Sequence, residues 1–202
     1  MLLPLLRSQV QGDLLALLFL HADEEFSLSE IARVVDASVA GVHHEVNRLV
    51  QAGLISDRRI GNNRMVRADT SSVLAGPLTD LLVVTYGPRP ILTDALRGVQ
   101  GVDKAYIYGS WAARYRGHPG PVPRDVDLLV VGTADIDEVE DAVRDGQRRL
   151  RREVNVRRVS PEQWNQARQG EAPSPFLATV AGSPLVELDL AVHPGEPVGA
   201  DS

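Results

Sequence analysis

Tyr106-Ile-Tyr-Gly109-Ser110-Trp111, followed after a Gly/Pro-rich stretch by Arg124-Asp125-Val126-Asp127-Leu-Leu-Val-Val-Gly132, is the passage that decides the architecture of this chain. A strand runs into a Gly-Ser turn, and a second strand opens with two acids two residues apart. Strand side chains alternate between faces, so positions 125 and 127 point the same way. Two carboxylates so placed repel each other unless a cation stands between them. Oxygen ligands suit Mg²⁺, which commonly also engages phosphates. The turn offers backbone N–H groups and a hydroxyl to those phosphates. The residues therefore point to a metal–nucleotide site.

Working outward, the second half reads as a helix at about 90–98, strands at 104–108 and 126–131, a short helix after Ser110, a long helix at about 136–151 and a strand at 153–159. Ser160-Pro-Glu-Gln163 has the form of a cap with proline in the first turn. A helix over 174–181 and a last strand over 185–191 complete the pattern. With Gly109-Ser110 and Asp125-Val-Asp127 in these positions, residues 104–132 resemble the nucleotidyltransferase superfamily to which DNA polymerase beta belongs, in particular its minimal branch. The resemblance implies a mixed sheet with flanking helices over residues 89–193. It also implies Mg²⁺ or Mn²⁺ on Asp125 and Asp127, and a nucleoside triphosphate, ATP first among them, on Gly109 and Ser110. Arg114, Arg116 and Arg124 could neutralise phosphate charge or equally be ordinary surface arginines.

The family's third acid aligns with Asn155, in Glu153-Val-Asn155-Val-Arg157. An amide offers a carbonyl ligand but no charge and no base. Glu153, about 6–7 Å along the same strand face, is the substitute acid that catalysis would need, with Asp189 ranked below it. Trp111 reads as helix packing, and His118 as a solvated loop residue.

The first half has a different grammar. Leu14 to Leu20 form a buried helix over about Asp13–His21, and Ser27-Leu-Ser-Glu30 is a capping box for a short helix. Asp36-Ala-Ser38 makes the turn. A longer helix from about Val39 to Ala52 carries the apolar stripe Val39, Val42, Val46, Leu49 and Val50 and is closed by Gly53. A hairpin then turns at Gly61-Asn62-Asn63-Arg64. This order, with the phrase Leu49-Val-Gln-Ala-Gly-Leu-Ile55, resembles winged helix-turn-helix regulators of the ArsR and MarR kind over residues 10–70. The resemblance implies double-stranded DNA as partner, read by Ser38, Ala40, Gly41, His44, Asn47 and Arg48 on the long helix. Arg58, Arg59, Asn63 and Arg64 would contact DNA from the wing. The acidic run Asp23-Glu24-Glu25 falls in a loop before the second helix and is expected to lie away from the reader.

The chain is thus read as α/β (α+β). Residues 1–70 form the winged helix-turn-helix and 71–88 a connecting helix or linker that Gly87-Pro88-Arg-Pro90 punctuates. The nucleotidyltransferase-like part spans 89–193, and 194–202 are a disordered tail. The expected function is a DNA-binding transcriptional regulator carrying a metal- and nucleotide-binding unit. The alternatives are an active Mg²⁺-dependent nucleotidyltransferase modifying a protein, RNA or small-molecule hydroxyl, and a degenerate, antitoxin-like interaction module. Winged-helix regulators commonly dimerise, and the Leu/Val-rich helix at 71–86 could supply a homodimer contact.

The bulk numbers agree. The 202 residues hold no cysteine, which excludes disulfides, thiolate metal sites and cysteine nucleophiles. Net charge is −6, and residues 1–86 carry seven basic against ten acidic side chains, so any nucleic-acid contact must be a local patch. The apolar run Leu14–Leu20 is too short to span a bilayer and lacks the flanks of a signal peptide, which points to the cytoplasm and no membrane.

Overall fold

A computed structural model describes residues 6–191; the tail expected from Pro194 lies outside the described residues. The chain divides at the Gly87–Pro88 bond into two units.

The first unit runs α1 (Gln9–Leu20), β1 (Phe26–Ser27), α2 (Leu28–Val34), α3 (Val39–Gln51), β2 (Ile55–Ile60), β3 (Asn63–Ala68) and α4 (Ala75–Tyr86). Helix α1 begins a turn earlier than the leucine run indicates because Ser8 accepts from Gln11 N–H at 3.2 Å and caps three polar-flanked residues. The capping box at Ser27 and Glu30 is formed in both directions. Helices α2 and α3 each end on a left-handed residue, Asp36 at φ 48° and Gly53 at φ 66°. At Gly53 the Schellman pair is complete: Gly53 N–H donates to Val50 C=O at 3.0 Å and Leu54 N–H to Leu49 C=O at 3.1 Å. The stripe of α3 buries Val42, Val46 and Leu49, while Val39, placed on that stripe by spacing, stands 51% exposed at the helix start.

Strands β2 and β3 pair antiparallel from Ile55↔Ala68 to Ile60↔Asn63, leaving Gly61-Asn62 as a two-residue turn with Gly61 at φ 58°. The order of this sheet is β1-β3-β2. Two-residue β1 was not foreseen, and it brings the segment before α2 against the hairpin. Residues 71–88, expected to connect the halves, hold α4, which packs on α1 within this unit. Leu82 and Val83 of α4 are buried, while Leu81 and Val84 are exposed.

The second unit runs α5 (Pro88–Leu96), β4 (Val102–Tyr108), α6 (Gly109–Tyr115), β5 (Asp125–Gly132), α7 (Ile136–Leu150), β6 (Glu153–Val159), α8 (Pro161–Arg168), α9 (Pro175–Gly182) and β7 (Val186–Glu187). The sheet order is β6-β5-β4-β7. Strand β5 pairs antiparallel with β4 and parallel with β6, so the sheet is mixed, and α7 is the crossover that parallel pairing requires. Leu128, Leu129 and Val130 of β5 are fully buried, which means both sheet faces are covered. Tyr106, Leu129, Val131 and Val159 pack with Trp164 and Ala167 of α8 and with Leu177 and Val180 of α9. Ala105, Ile107, Leu128 and Val130 alternate onto the other face and are equally buried, leaving α5, α6 and α7 to cover it. Trp111 is 1% exposed and belongs to this interior. No helix among the described residues is long and apolar enough to cross a membrane.

Candidate functional site

On the first unit the surface of interest is built by α3 and the β2–β3 hairpin. Ser38 spends its hydroxyl on the helix, accepting from Gly41 N–H at 3.1 Å. Ala40, Gly41, His44 and Arg48 are exposed, as the spacing indicates; so are Val39, which the spacing had placed on the buried stripe, and His43, which the sequence reading passed over. His43 stands one helical turn before Asn47, with its Nδ1 3.4 Å from the Asn47 amide nitrogen. Its position off the apolar stripe was the signal available.

The basic side chains are less available than their sequence suggests. Arg48 pairs with Glu45 at 3.2 Å. Arg64 donates to Asp57 and to the side-chain oxygen Oδ1 of Asn47, each at 2.6 Å. Arg58 is gripped by Glu25, with Nε at 3.0 Å and Nη2 at 2.6 Å from its carboxylate oxygens. That grip holds the Glu25 carboxyl below the usual carboxylate range. The expectation that the acidic run lies away from the reader is therefore corrected: pairing of Phe26 with Val66 carries Glu25 onto the wing. Arg59 and Asn63, at the hairpin tip, are exposed.

On the second unit β5 sets Asp125 and Asp127 on one face, and parallel β6 sets Glu153 beside Asp125 and Asn155 beside Asp127. Asn155 bridges the pair, its amide N–H₂ donating to Asp125 Oδ2 at 3.0 Å and reaching Asp127 Oδ1 at 3.5 Å. Burial pushes the Asp127 carboxyl above its ordinary value; the Asn155 hydrogen bond opposes this and the Asp125 charge adds to it. Gly109 takes φ 67°, and a Cβ there would lie 2.5 Å from Asp127 Oδ2. The turn and the acids thus touch, as the sequence motif implies, and glycine is what lets them.

The remaining candidates fall around this centre unevenly. Ser110 is exposed beside Gly109. Arg114 is partly buried and directs Nη1 to its own loop, at the His118 carbonyl, at 3.4 Å, while Arg124 is exposed immediately before β5. Asp189 is no candidate third acid. Strand β7 pairs Ile107↔Val186 and Tyr106↔Glu187, so the chain beyond it runs away from Tyr108 and the acids, by roughly 3.3 Å per residue. Glu153 does not complete a set either, since no three His, Asp or Glu side chains among the described residues converge where a metal ion could sit.

The donor set decides what the centre suits. Two carboxylates match a single hard divalent cation shared with phosphate oxygens, because Mg²⁺ is often held by one or two carboxylates plus substrate. Asn155 adds an amide and no third carboxylate to this pair.

A family model described as a helix-turn-helix domain matches residues 8–58. The match ends within β2, so the hairpin's second strand and everything after it rest on the fold alone. No curated protein is matched. Among solved structures, reduced HlyU from Vibrio cholerae N16961 is similar over 42% of this chain and 84% of its own, with 20% identity and a TM-score of 0.35.

Proposed function

We propose that this chain is a cytoplasmic DNA-binding transcriptional regulator whose second unit binds a nucleoside triphosphate at a nucleotidyltransferase-like centre lacking its third carboxylate. The DNA reading is carried by α3: opposite its buried stripe it presents Ala40, Gly41, His43 and His44. Small residues at the helix start allow close approach to base edges, and the imidazoles supply polar contacts. The helix-turn-helix match supports the same reading. The exposed Leu81 and Val84 of α4 support a homodimer, whose two reading heads would engage two half-sites.

The nucleotide reading rests on Gly109 against Asp127 and on Asn155 between the two acids. Asp125 and Asp127 are the residues that would hold Mg²⁺, which when bound supplies charge neutralisation to the phosphates. Gly109 N–H and the Ser110 hydroxyl orient those phosphates. Asn155 accepts no proton from an attacking hydroxyl, which favours a sensing role over efficient transfer.

Selection of duplexes from a random pool tests the DNA reading. The wild-type chain is expected to enrich a preferred sequence, and His44→Ala is expected to relax that preference with its fold intact. A folded chain that retains no duplex at low salt ends this reading.

A further inference from the structure

Next to the Asp–Asn centre, on the same sheet face, the structure exposes an aromatic ring and an unspent cation. Tyr106, Asp127, Asn155 and Val159 show which face this is, and alternation places Tyr108 and Arg157 on it as well. Tyr108 pairs across the ladder with Asp127, so it stands beside the acids. Phe176, in the first turn of α9, meets Tyr108 edge to face with ring centroids 5.9 Å apart. Leu177 and Val180 of α9 are each only 3% exposed, yet Phe176 is 40% exposed. It packs enough to be fixed and leaves a face open.

Arg157 lies one same-face step beyond Asn155, is exposed, and makes no hydrogen bond or ion pair among the described residues. Its neighbour Arg158 is committed to the Ala134 carbonyl at 2.9 Å. Arg157 and Phe176 line one cleft of about 480 Å³ together with Gln163 and Pro173. That volume lies within the range of about 300–1,000 Å³ usual for small-molecule sites.

We infer that this cleft is the base subsite of the second unit, in which a nucleobase stacks on Phe176 with the Arg157 guanidinium beside it. The inference rests on the nucleotide reading above and adds where the base goes. The chemistry required of the ligand is a flat, electron-rich heteroaromatic ring joined to an anionic tail. Stacking satisfies the exposed aromatic face, and a guanidinium interacts with such rings both as a cation and as a donor. Stacking tolerates every base, so this subsite discriminates nucleotides from bare phosphates more strongly than one base from another.

Calorimetry in Mg²⁺ buffer with ATP and with inorganic tripolyphosphate tests the assignment on wild type, Phe176→Ala, Phe176→Tyr and Arg157→Gln. Wild type is expected to bind ATP at least about 10-fold more tightly than tripolyphosphate. Phe176→Ala is expected to lose that margin with tripolyphosphate affinity unchanged, Phe176→Tyr to retain it, and Arg157→Gln to lose part of it. Phe176 is exposed and alanine suits a helix, so the variant should fold, and circular dichroism checks this. If Phe176→Ala binds ATP as wild type does, or loses both ligands equally, the base subsite is overturned. Equal wild-type affinity for ATP and tripolyphosphate overturns it too, while leaving the phosphate-binding part of the nucleotide reading standing. Wild type that binds neither ligand removes both.

Discussion

Asn155 is the residue on which the chemistry of the second unit turns. Two aspartates at adjacent same-face positions need a positive partner, and here an amide N–H₂ occupies the space between them. Hydrogen bonds to ionised groups contribute about 1.5–3 kcal/mol each when well formed, so the amide offsets part of the repulsion that a cation would otherwise cancel. Asn155→Asp would exchange that donor for a third carboxylate. The expected outcome is a melting temperature several degrees lower in chelator, recovered by millimolar Mg²⁺ or Mn²⁺, with a larger metal response than wild type. Thermal denaturation with and without divalent cation reads this directly. No metal response in either protein would mean that the centre does not take a cation at all. Labelling of an acceptor by radioactive ATP, appearing only in Asn155→Asp, would show that the amide is what holds transfer back.

At the scale of elements, a strand only two residues long carries a carboxylate onto the basic hairpin. Because β1 pairs with β3, Glu25 sits on Arg58 with Arg67 4.0 Å away. A DNA phosphate that reaches Arg58 must displace this carboxylate. Glu25→Gln is therefore expected to strengthen duplex binding several-fold at low salt and to steepen the salt dependence by about one phosphate contact. Arg59→Ala is expected to weaken binding and flatten it. Fluorescence anisotropy over a salt series measures both slopes, and unchanged slopes in both variants would remove the wing from the interface. This contact was not legible in the sequence, since Glu25 and Arg58 are far apart in the chain and no periodicity marks a strand as short as β1. What was legible is local in origin. The Ser27 capping box, the Gly53 helix stop, the Gly61 turn and the alternation of Asp125 and Asp127 each depend on residues within a few positions. Asn155 opposite Asp127 could be read because strand periodicity fixes a register once the partner strand is known. Phe176 over Tyr108 could not, because it depends on how α9 folds back across the sheet.

For the whole molecule, the question is whether two independently organised units act on each other. If nucleotide and DNA each favour one of two arrangements of the chain, their bindings share a coupling free energy. Linkage makes this testable without knowing the arrangements. Saturating Mg²⁺-ATP must change duplex affinity by the same factor by which saturating duplex changes ATP affinity, and useful couplings span about 5- to 150-fold. Anisotropy with labelled duplex gives one factor, and calorimetry of ATP into the preformed protein–duplex complex gives the other. Both are expected to fall in that range and to agree within error. The change should vanish in Asp125→Asn, Asp127→Asn, which is altered only in the second unit. Two factors of one would mean that the helix-turn-helix domain reads DNA regardless of what the second unit holds. The nucleotide would then serve a separate activity carried on the same chain. Two factors that differ would expose a further equilibrium, for which dimerisation through the apolar side of α4 is the first candidate; repeating both titrations across a tenfold range of protein concentration would reveal it.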